Sequence, residues 1–436
     1  TEILKVLLNA PNTDVNVQID LYGFTALHYL QIPSVGHNHS SFPMDDGLRQ
    51  ENIALARLLI QAGADVSILA AKSAAPSGQM LTVVDMAESN LQQPSYEIWT
   101  EYLETMLNVL KGAEEARYEF ITAVKENDVD SVQQHIARGV PVNTMVKVLD
   151  RWPTTPLHLL INSWSRIDGP GVLKALLAAP NINVNVQGCF IFHRRRGTPL
   201  HYAVEYNNVE CVRALLAVPG VDVNAKITDA DPNTPPNNKF AGLNETPLHM
   251  AADDSRVDII HLLLSAPNIN VNECSYDKHT ALHEAAFNGD CEAVKALLSA
   301  PNIDVNSRDC QGITPLHLAV EERHDDVIMA LLSSPNIDVN SRNCQGITPL
   351  YLAVEEKLDD VMMALLSAPN IDVNIRTDKG ETALHLAHES GHVEAVMALL
   401  SSPNIDIDSE PPHIRDAVQK RVGVIDFQDF SVFFCK

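Results

Sequence analysis

From Gly312 to Asn340 the chain reads GITPLHLAVEERHDDVIMALLSSPNIDVN, and its apolar positions recur at helical spacing. Thr314 is a good helix N-cap, and Pro315 suits the first helical position, where its fixed φ helps and its missing N–H is no loss. Leu316, Ala319 and Val320 then fall on one face. Asp325 and Asp326 open a second run, with Val327, Ile328, Leu331 and Leu332 at helical spacing. Pro335 and Asn336 end it. The stretch Asn340 to Gly346, NSRNCQG, is rich in residues that reverse a chain and predicts a short turn or hairpin leading to Thr348.

This helix–helix–turn unit recurs with openings at Thr280, Thr314, Thr348 and Thr382, each 34 residues after the last. A unit that short cannot enclose its own core and must bury its apolar face against its neighbours. The pattern therefore predicts an all-α repeat solenoid of stacked helix-turn-helix units with projecting β-turns or hairpins. Followed backwards, the register covers nearly the whole chain in roughly eleven units, complete or partial. Irregularity grows toward the N-terminus. Residues 1–16 read as a second helix and its PNTDVN tail, so the sequence looks cut from something longer. An insertion runs from about Pro33 to Gly47, Thr82 opens a degenerate signature, and a longer helical run spans Tyr96 to Leu110. Residues 117–143 keep the helix pair without a Thr-Pro start, which places a kink or interface near Lys111–Ala116. Extended turns precede Thr155, Thr198 and Thr246, the longest being the polar stretch Ala225–Asn244. The pattern stops after Asp408, and Ile414–Val422 reads as a closing helix. The resulting division is 1–116 irregular repeats, 117–408 the main array, and 409–436 a capping helix and tail.

The signature resembles that of the ankyrin repeat, T-P-L-H-x-A on a two-helix body with a projecting β-turn. Full copies stand at Thr155-Pro156-Leu157-His158, Thr198-Pro199-Leu200-His201, Thr246-Pro247-Leu248-His249 and Thr314-Pro315-Leu316-His317. Ala replaces Pro in the copies at Thr25, Thr280 and Thr382, and Tyr351 replaces His in the copy at Thr348. The copies exceed the family's usual length by one residue, because a Pro-Asn-Ile turn such as Pro301-Asn302-Ile303 stands where Ala62-Gly63-Ala64 has a shorter one. The near-identical repeats with their PNIDVN tails also resemble ankyrin proteins that intracellular bacterial pathogens deliver into host cells, which would place the chain in host cytosol.

Composition sets further limits. Apolar residues make up 45% of the chain, enough for a continuous core, and no run approaches the ~20 apolar residues that span a bilayer. Seven scattered cysteines form no disulfide framework and favour the reducing cytoplasm. A net charge of −25 argues against nucleic acid and anionic membranes as partners and keeps a long protein monomeric.

Where the charge lies is more informative than its sum. Two positions at the end of helix one recur as Glu205-Tyr206, Asp253-Asp254, Phe287-Asn288, Glu321-Glu322, Glu355-Glu356 and Glu389-Ser390. Stacking aligns them in a column. In the family these positions and the turn tips line the concave face that holds partners, so the resemblance implies a protein partner, and the like charge of the column predicts a basic segment on it, with Tyr206 and Phe287 as aromatic anchors. A solvated acidic surface is the plain alternative. Opposing this field is a basic knot at Arg194, Arg195 and Arg196 in the turn before Thr198. As a projecting tip it suits phosphate or carboxylate groups, or a localisation signal, although a turn also tolerates charge.

Several patterns look like chemistry and are discounted. His388-Glu389-Ser390-Gly391-His392 fits the zinc-protease expression, which needs both imidazoles on one face of one helix, and Gly391 breaks that helix. His28, His158, His201, His249, His283, His317 and His385 follow the repeat's own period, about a helix diameter of ~10 Å apart, too far to share a metal. The resemblance makes them framework residues bonded near the threonine and the turn. Cys310 and Cys344 occupy one turn position in successive repeats as exposed thiols. His37, His39, Asp45 and Asp46 have ligand-type side chains without ligand spacing. The Val-Asn endings at Asn16, Asn143, Asn185, Asn224, Asn272, Asn306, Asn340 and Asn374 brace the turn that follows; in the family such asparagines can also be hydroxylated.

The sequence assigns no catalytic, cofactor or metal residue. It reads as a non-catalytic scaffold that captures protein through its groove and extended turns. The targeting region of a larger multidomain effector or enzyme, and a cryptic hydrolase-type site in the irregular 28–152 region, are the two other readings it permits.

Overall fold

Helix one starts where a threonine in extended backbone meets a residue already set for a helix. Thr314, at φ −103° and ψ 164°, precedes Pro315 in this way, and Thr246, Thr280, Thr348 and Thr382 repeat the geometry. In the computed structural model the described residues are 52–57, 59, 70–71, 80–81, 100–148, 152–163, 170–189, 195–229 and 244–416. They fall into two units, Thr1–Asp222 with Asp229–Thr234, and Val223–Thr228 with Pro235–Lys436.

The first unit contains the short hairpin β1 (Ala70–Ala71) and β2 (Met80–Leu81), followed by α1 (Thr100–Lys125) and α2 (Val129–Ala137). The hairpin β3 (Val146–Val148) and β4 (Trp152–Thr154) leads into α3 (Pro156–Ser163) and α4 (Gly171–Leu177). A further hairpin, β5 (Gly188–Cys189) and β6 (Arg195–Gly197), leads into α5 (Pro199–Glu205) and α6 (Val209–Leu216). Helices α1, α3 and α5 pack in sequence along one row, and α2, α4 and α6 along another.

A kink or interface was expected near Lys111–Ala116; α1 is continuous through it, for 26 residues. The stretch KGAEEARYEF consists largely of good helix formers. A single Gly112 costs only about 1 kcal/mol against alanine, too little to end a helix that has packing on its far side.

The second unit holds the regular repeats. Its first row is α7 (Pro247–Asp253), α9 (Ala281–Asn288), α11 (Pro315–Glu321), α13 (Pro349–Glu355) and α15 (Ala383–Glu389). Its second row is α8 (Val257–Leu264), α10 (Cys291–Leu298), α12 (Asp325–Leu332), α14 (Asp359–Leu366) and α16 (Val393–Leu400). Each helix packs on its counterpart in the next repeat. Helix one is buried nearly all round: Leu248, Leu282, Leu316, Leu350 and Leu384 are at most 2% exposed. Each such leucine contributes about 1.5–3 kcal/mol of transfer free energy. Ala251, Ala285, Ala319, Ala353 and Ala387 are fully buried, and their small size lets successive helices approach. Helix two buries only a stripe. In α12 that stripe is Val327, Ile328 and Leu331, while Leu332 is half-buried and Met329 faces out.

In this unit the turns carry hydrogen bonds in place of strands. The Asp309 amide donates to the Ile313 carbonyl at 3.0 Å, and Cys310 N–H reaches the Asp277 carbonyl of the preceding turn at 3.0 Å. After α16 the chain becomes helical again at 412–416, two residues before the expected start, and buries Ile414. The insertion 33–47, the degenerate signature at Thr82, the core of the Ala225–Asn244 stretch and the tail beyond 416 lie outside the described residues.

Candidate functional site

Helix one is so short that the two residues at its C-terminal end are forced onto one edge of each repeat. In the second unit these residues are Asp253-Asp254, Phe287-Asn288, Glu321-Glu322, Glu355-Glu356 and Glu389-Ser390, and apart from the half-buried Glu356 all are exposed. Acidic groups at a helix C-terminus oppose the helix dipole, so their recurrence there does not serve helix stability. Neighbouring repeats feel one another's charge. The Glu321 carboxyl is pushed above its ordinary range, first by partial burial and then by Glu322, Glu356 and Glu355. Burial also raises Asp254, with Arg256 acting against it and Asp253 adding to it.

The column is not uniformly bare. Arg323 pairs with Glu356 across one repeat step, a partner that the sequence reading missed because Arg323 lies in the bend just after the column. Arg256 stands 3.9 Å from Asp254, and His385 Nε2 stands 3.2 Å from Glu389. Asn288 Nδ2 donates to the Asp253 carbonyl at 2.9 Å and to its carboxylate at 3.0 Å, tying two storeys together. Phe287 is 44% exposed within this strip.

In the first unit Glu205 is half-buried and Tyr206 is 38% exposed, its ring tilted against buried Tyr202. Arg195 and Arg196 do not project as a tip. They are half-buried in β6, with Arg196 Nε buried, because hairpin pairing draws that end of the turn back toward the helices. Arg194 lies outside the described residues.

Five of the repeated histidines, His158, His201, His249, His283 and His317, bond to the threonine that opens their helix, His385 departs from this, and His28 lies outside the described residues. Thr314 Oγ–H donates to His317 Nδ1 at 2.8 Å, and His317 Nε2–H donates to the Ile347 carbonyl of the next repeat at 3.1 Å. His249 and His283 bond the same way to the carbonyls of His279 and Ile313. In the first unit His158 bonds to Gly197. Burial pulls the pKa down to about 4 at His283 and His317 and about 3 at His158, so the rings are neutral. Where Tyr351 replaces histidine, its hydroxyl donates to the Glu381 carboxylate at 3.0 Å, and burial followed by that carboxylate raises its pKa.

The zinc-protease expression does not assemble. α15 ends at Glu389, Gly391 is left-handed at φ 68°, and His392 caps the next helix with Nε2 2.9 Å from Asp359. Cys310 and Cys344 are exposed free thiols, as expected. His37, His39, Asp45, Asp46 and most of 28–152 lie outside the described residues. The sequence reading missed another cluster: among the described residues, His385, Glu389 and His413 bring one ligand atom each within 4.8 Å of one another. The i,i+4 spacing of His385 and Glu389 was legible, but the return of His413 from beyond the last repeat was not.

The Val-Asn asparagines brace the turn of the next repeat, not their own. Asn306 Nδ2 donates to the Asn336 carbonyl at 2.7 Å, and the Asp338 amide donates back to Asn306 Oδ1 at 2.8 Å. The same pair of bonds recurs at Asn143, Asn185, Asn224, Asn272, Asn340 and Asn374.

No helix among the described residues is long and apolar enough to cross a membrane. No curated protein matches the chain. A crystal structure described as EF0377, an ankyrin repeat protein, is similar at 22% identity over 46% of this chain and 96% of that one, with a TM-score of 0.40. The family model for ankyrin repeats (3 copies) matches residues 120–227, 228–309, 248–343 and 316–411, which together take in more than half of the chain. Ankyrin repeats are generally protein–protein interaction modules and typically non-catalytic. With the threonine-capped helix pairs, the histidine bonds and the family model in agreement, the chain belongs to the ankyrin-repeat family.

Proposed function

We propose that this chain is a non-catalytic scaffold that holds a basic protein segment along the exposed ends of helix one. The observation that carries the reading is the exposed run of Glu321, Glu322 and Glu355 on adjoining helix-one ends, where partial burial first and then Glu322, Glu356 and Glu355 raise the Glu321 carboxyl. A surface that keeps unfavourable charge where the helix dipole also opposes it is suited to a cationic ligand that relieves both. Tyr206 and Phe287 offer exposed aromatic faces for anchoring, and Asp253, Asp254, Asn288, Glu205 and Glu389 extend the polar strip within their own units. Arg323 already offsets part of the charge at Glu356, so the attraction is strongest at Glu321, Glu322 and Glu355. Arg195 and Arg196 are half-buried in β6, so the weight of the reading rests on the acidic strip. The free thiols at Cys189, Cys211, Cys274, Cys291, Cys310 and Cys344 and the net charge of −25 support a monomer in a reducing, cytoplasmic compartment.

The test is affinity capture from cell lysate at low and high salt, using this chain and a version with Glu321, Glu322, Glu355 and Glu356 changed to Lys. The reading expects partners that are retained at low salt, released at high salt and lost by the charge-reversed version. Partners captured equally under all of these conditions would overturn it.

A further inference from the structure

The last repeat uses its signature residues differently from the others. In His283 and His317 of earlier repeats, Nδ1 accepts from the threonine hydroxyl and Nε2 donates to a carbonyl of the next turn. At the end of the stack Glu410 occupies that place. Thr382 Oγ–H donates to Glu410 Oε1 at 2.7 Å instead of to an imidazole. His385 is thereby released: its Nε2 points to Glu389 Oε1 at 3.2 Å, and its Nδ1 lies 4.0 Å from Glu410 Oε2.

Two buried atoms are left without a hydrogen bond, His385 Nδ1 and Glu410 Oε2, and Glu410 as a whole is only 3% exposed. On the solvent side His413 stands edge-on to His385, with ring centroids 5.9 Å apart. One ligand atom from each of His385, Glu389 and His413 falls within 4.8 Å of the others.

We propose that His385, Glu389 and His413 form a binding site for a divalent ion of the zinc type. Two imidazoles and a carboxylate are a ligand set that suits zinc, and Glu410 facing His385 Nδ1 supplies the carboxylate that orients a metal-bound histidine. Tetrahedral zinc, with bonds of 2.0–2.1 Å, holds its ligand atoms about 3.3 Å apart. Glu389 and His413 are both exposed and free to close the remaining gap by side-chain rotation. The fourth position faces water. The ion would pin the helical segment 412–416 onto α15, since His413 comes from that segment and the other two ligands from α15.

The experiment is calorimetric titration of the full chain with Zn²⁺ alone, in a version carrying Cys310→Ser and Cys344→Ser to remove the exposed thiols. Binding at this site is expected to weaken about 10-fold or more in His413→Ala and in Glu389→Gln, and to stay unchanged in His261→Ala, an exposed histidine of α8. Glu410→Gln is expected to weaken binding about 10–100-fold while the absorption spectrum of the Co²⁺ form keeps its shape, because the three ligands remain. Amide protection across Ala383–Leu400 should rise with Zn²⁺ in the parent and not in His413→Ala. Zinc affinity that survives His413→Ala unchanged, or no binding by the parent, overturns the proposal.

Discussion

Asn340 Nδ2 donates to the carbonyl of Asn370, 2.6 Å away and one repeat further on. Its Oδ1 accepts from the Asp372 amide at 2.8 Å, so one side chain satisfies two backbone groups of the next turn. The bond pair recurs along the second unit and fixes the spacing of the turns on the face away from the helix-one ends. Asn340→Ala should cost about 1–3 kcal/mol, the sum of two hydrogen bonds at ordinary net worth. Asn340→Asp should cost more, because it loses the donor and sets a carboxylate against a carbonyl oxygen. Urea unfolding of the two variants checks the order, and an aspartate variant more stable than the alanine one would contradict the assignment.

Acid sensitivity follows from the buried histidines. Burial holds His283 and His317 at a folded pKa of about 4, below the unfolded value of about 6.5. The unfolded chain therefore binds more protons between those values. Stability is full above about pH 6.5 and falls as pH drops toward 4, by about 3 kcal/mol for each such histidine. His317→Gln keeps an S/T-x-x-Q capping box at Thr314 but cannot titrate, so it should remove its own share of the slope. Denaturant midpoints measured between pH 4 and 7 for both proteins provide the comparison. Equal slopes would show that His317 is not the neutral, buried group described.

Gly289 sits at φ 75°, and a Cβ there would come within 2.5 Å of the His324 ring. Ser255, Arg323 and Lys357 hold the same left-handed conformation with side chains, so φ alone does not demand glycine at this point in the repeat. The demand comes from His324, whose Nε2 donates to the Phe287 carbonyl at 2.9 Å and lays the ring over the glycine. Gly289→Ala should destabilise by about 1–3 kcal/mol. Adding His324→Ala should recover part of that loss, which a double-mutant cycle measures as a coupling. Additive effects would rule out the contact as the cause.

Gly112 lies inside α1 with nothing within 4 Å of where a Cβ would be. Gly112→Ala should therefore stabilise the first unit by about 0.5–1 kcal/mol, through helix propensity and a less flexible unfolded chain. A gain in thermal or urea midpoint checks it. A loss would mean that the helix does not continue through this residue.

Much of the molecule is determined locally and was legible for that reason. Thr314 and Pro315 start a helix by their own φ preferences, Asp325 and Asp326 open the next, and the 34-residue period makes each unit depend on its neighbour for burial. The discounted zinc motif was legible too, since the repeat register ends helix one before Gly391, as it does before Arg323 and Lys357 at the same position. What the sequence did not decide were relations across repeats and at their ends. The Arg323 to Glu356 ion pair and the reach of Asn340 to Asn370 depend on how one storey sits over the next. The missing Thr-Pro start pointed to a kink or interface near Lys111–Ala116, but the helix is continuous there, since the propensity cost of Gly112 is small beside the packing of α1 on α2 and α3. The grouping of His385 with Glu389, Glu410 and His413 arises because the segment after α16 returns to α15, where Glu410 takes the Thr382 hydroxyl that predecessors such as Thr314 give to histidine. Periodicity fixes what every unit does alike; only the packed chain decides what the repeat of α15 and α16 does where the segment 408–416 lies against it.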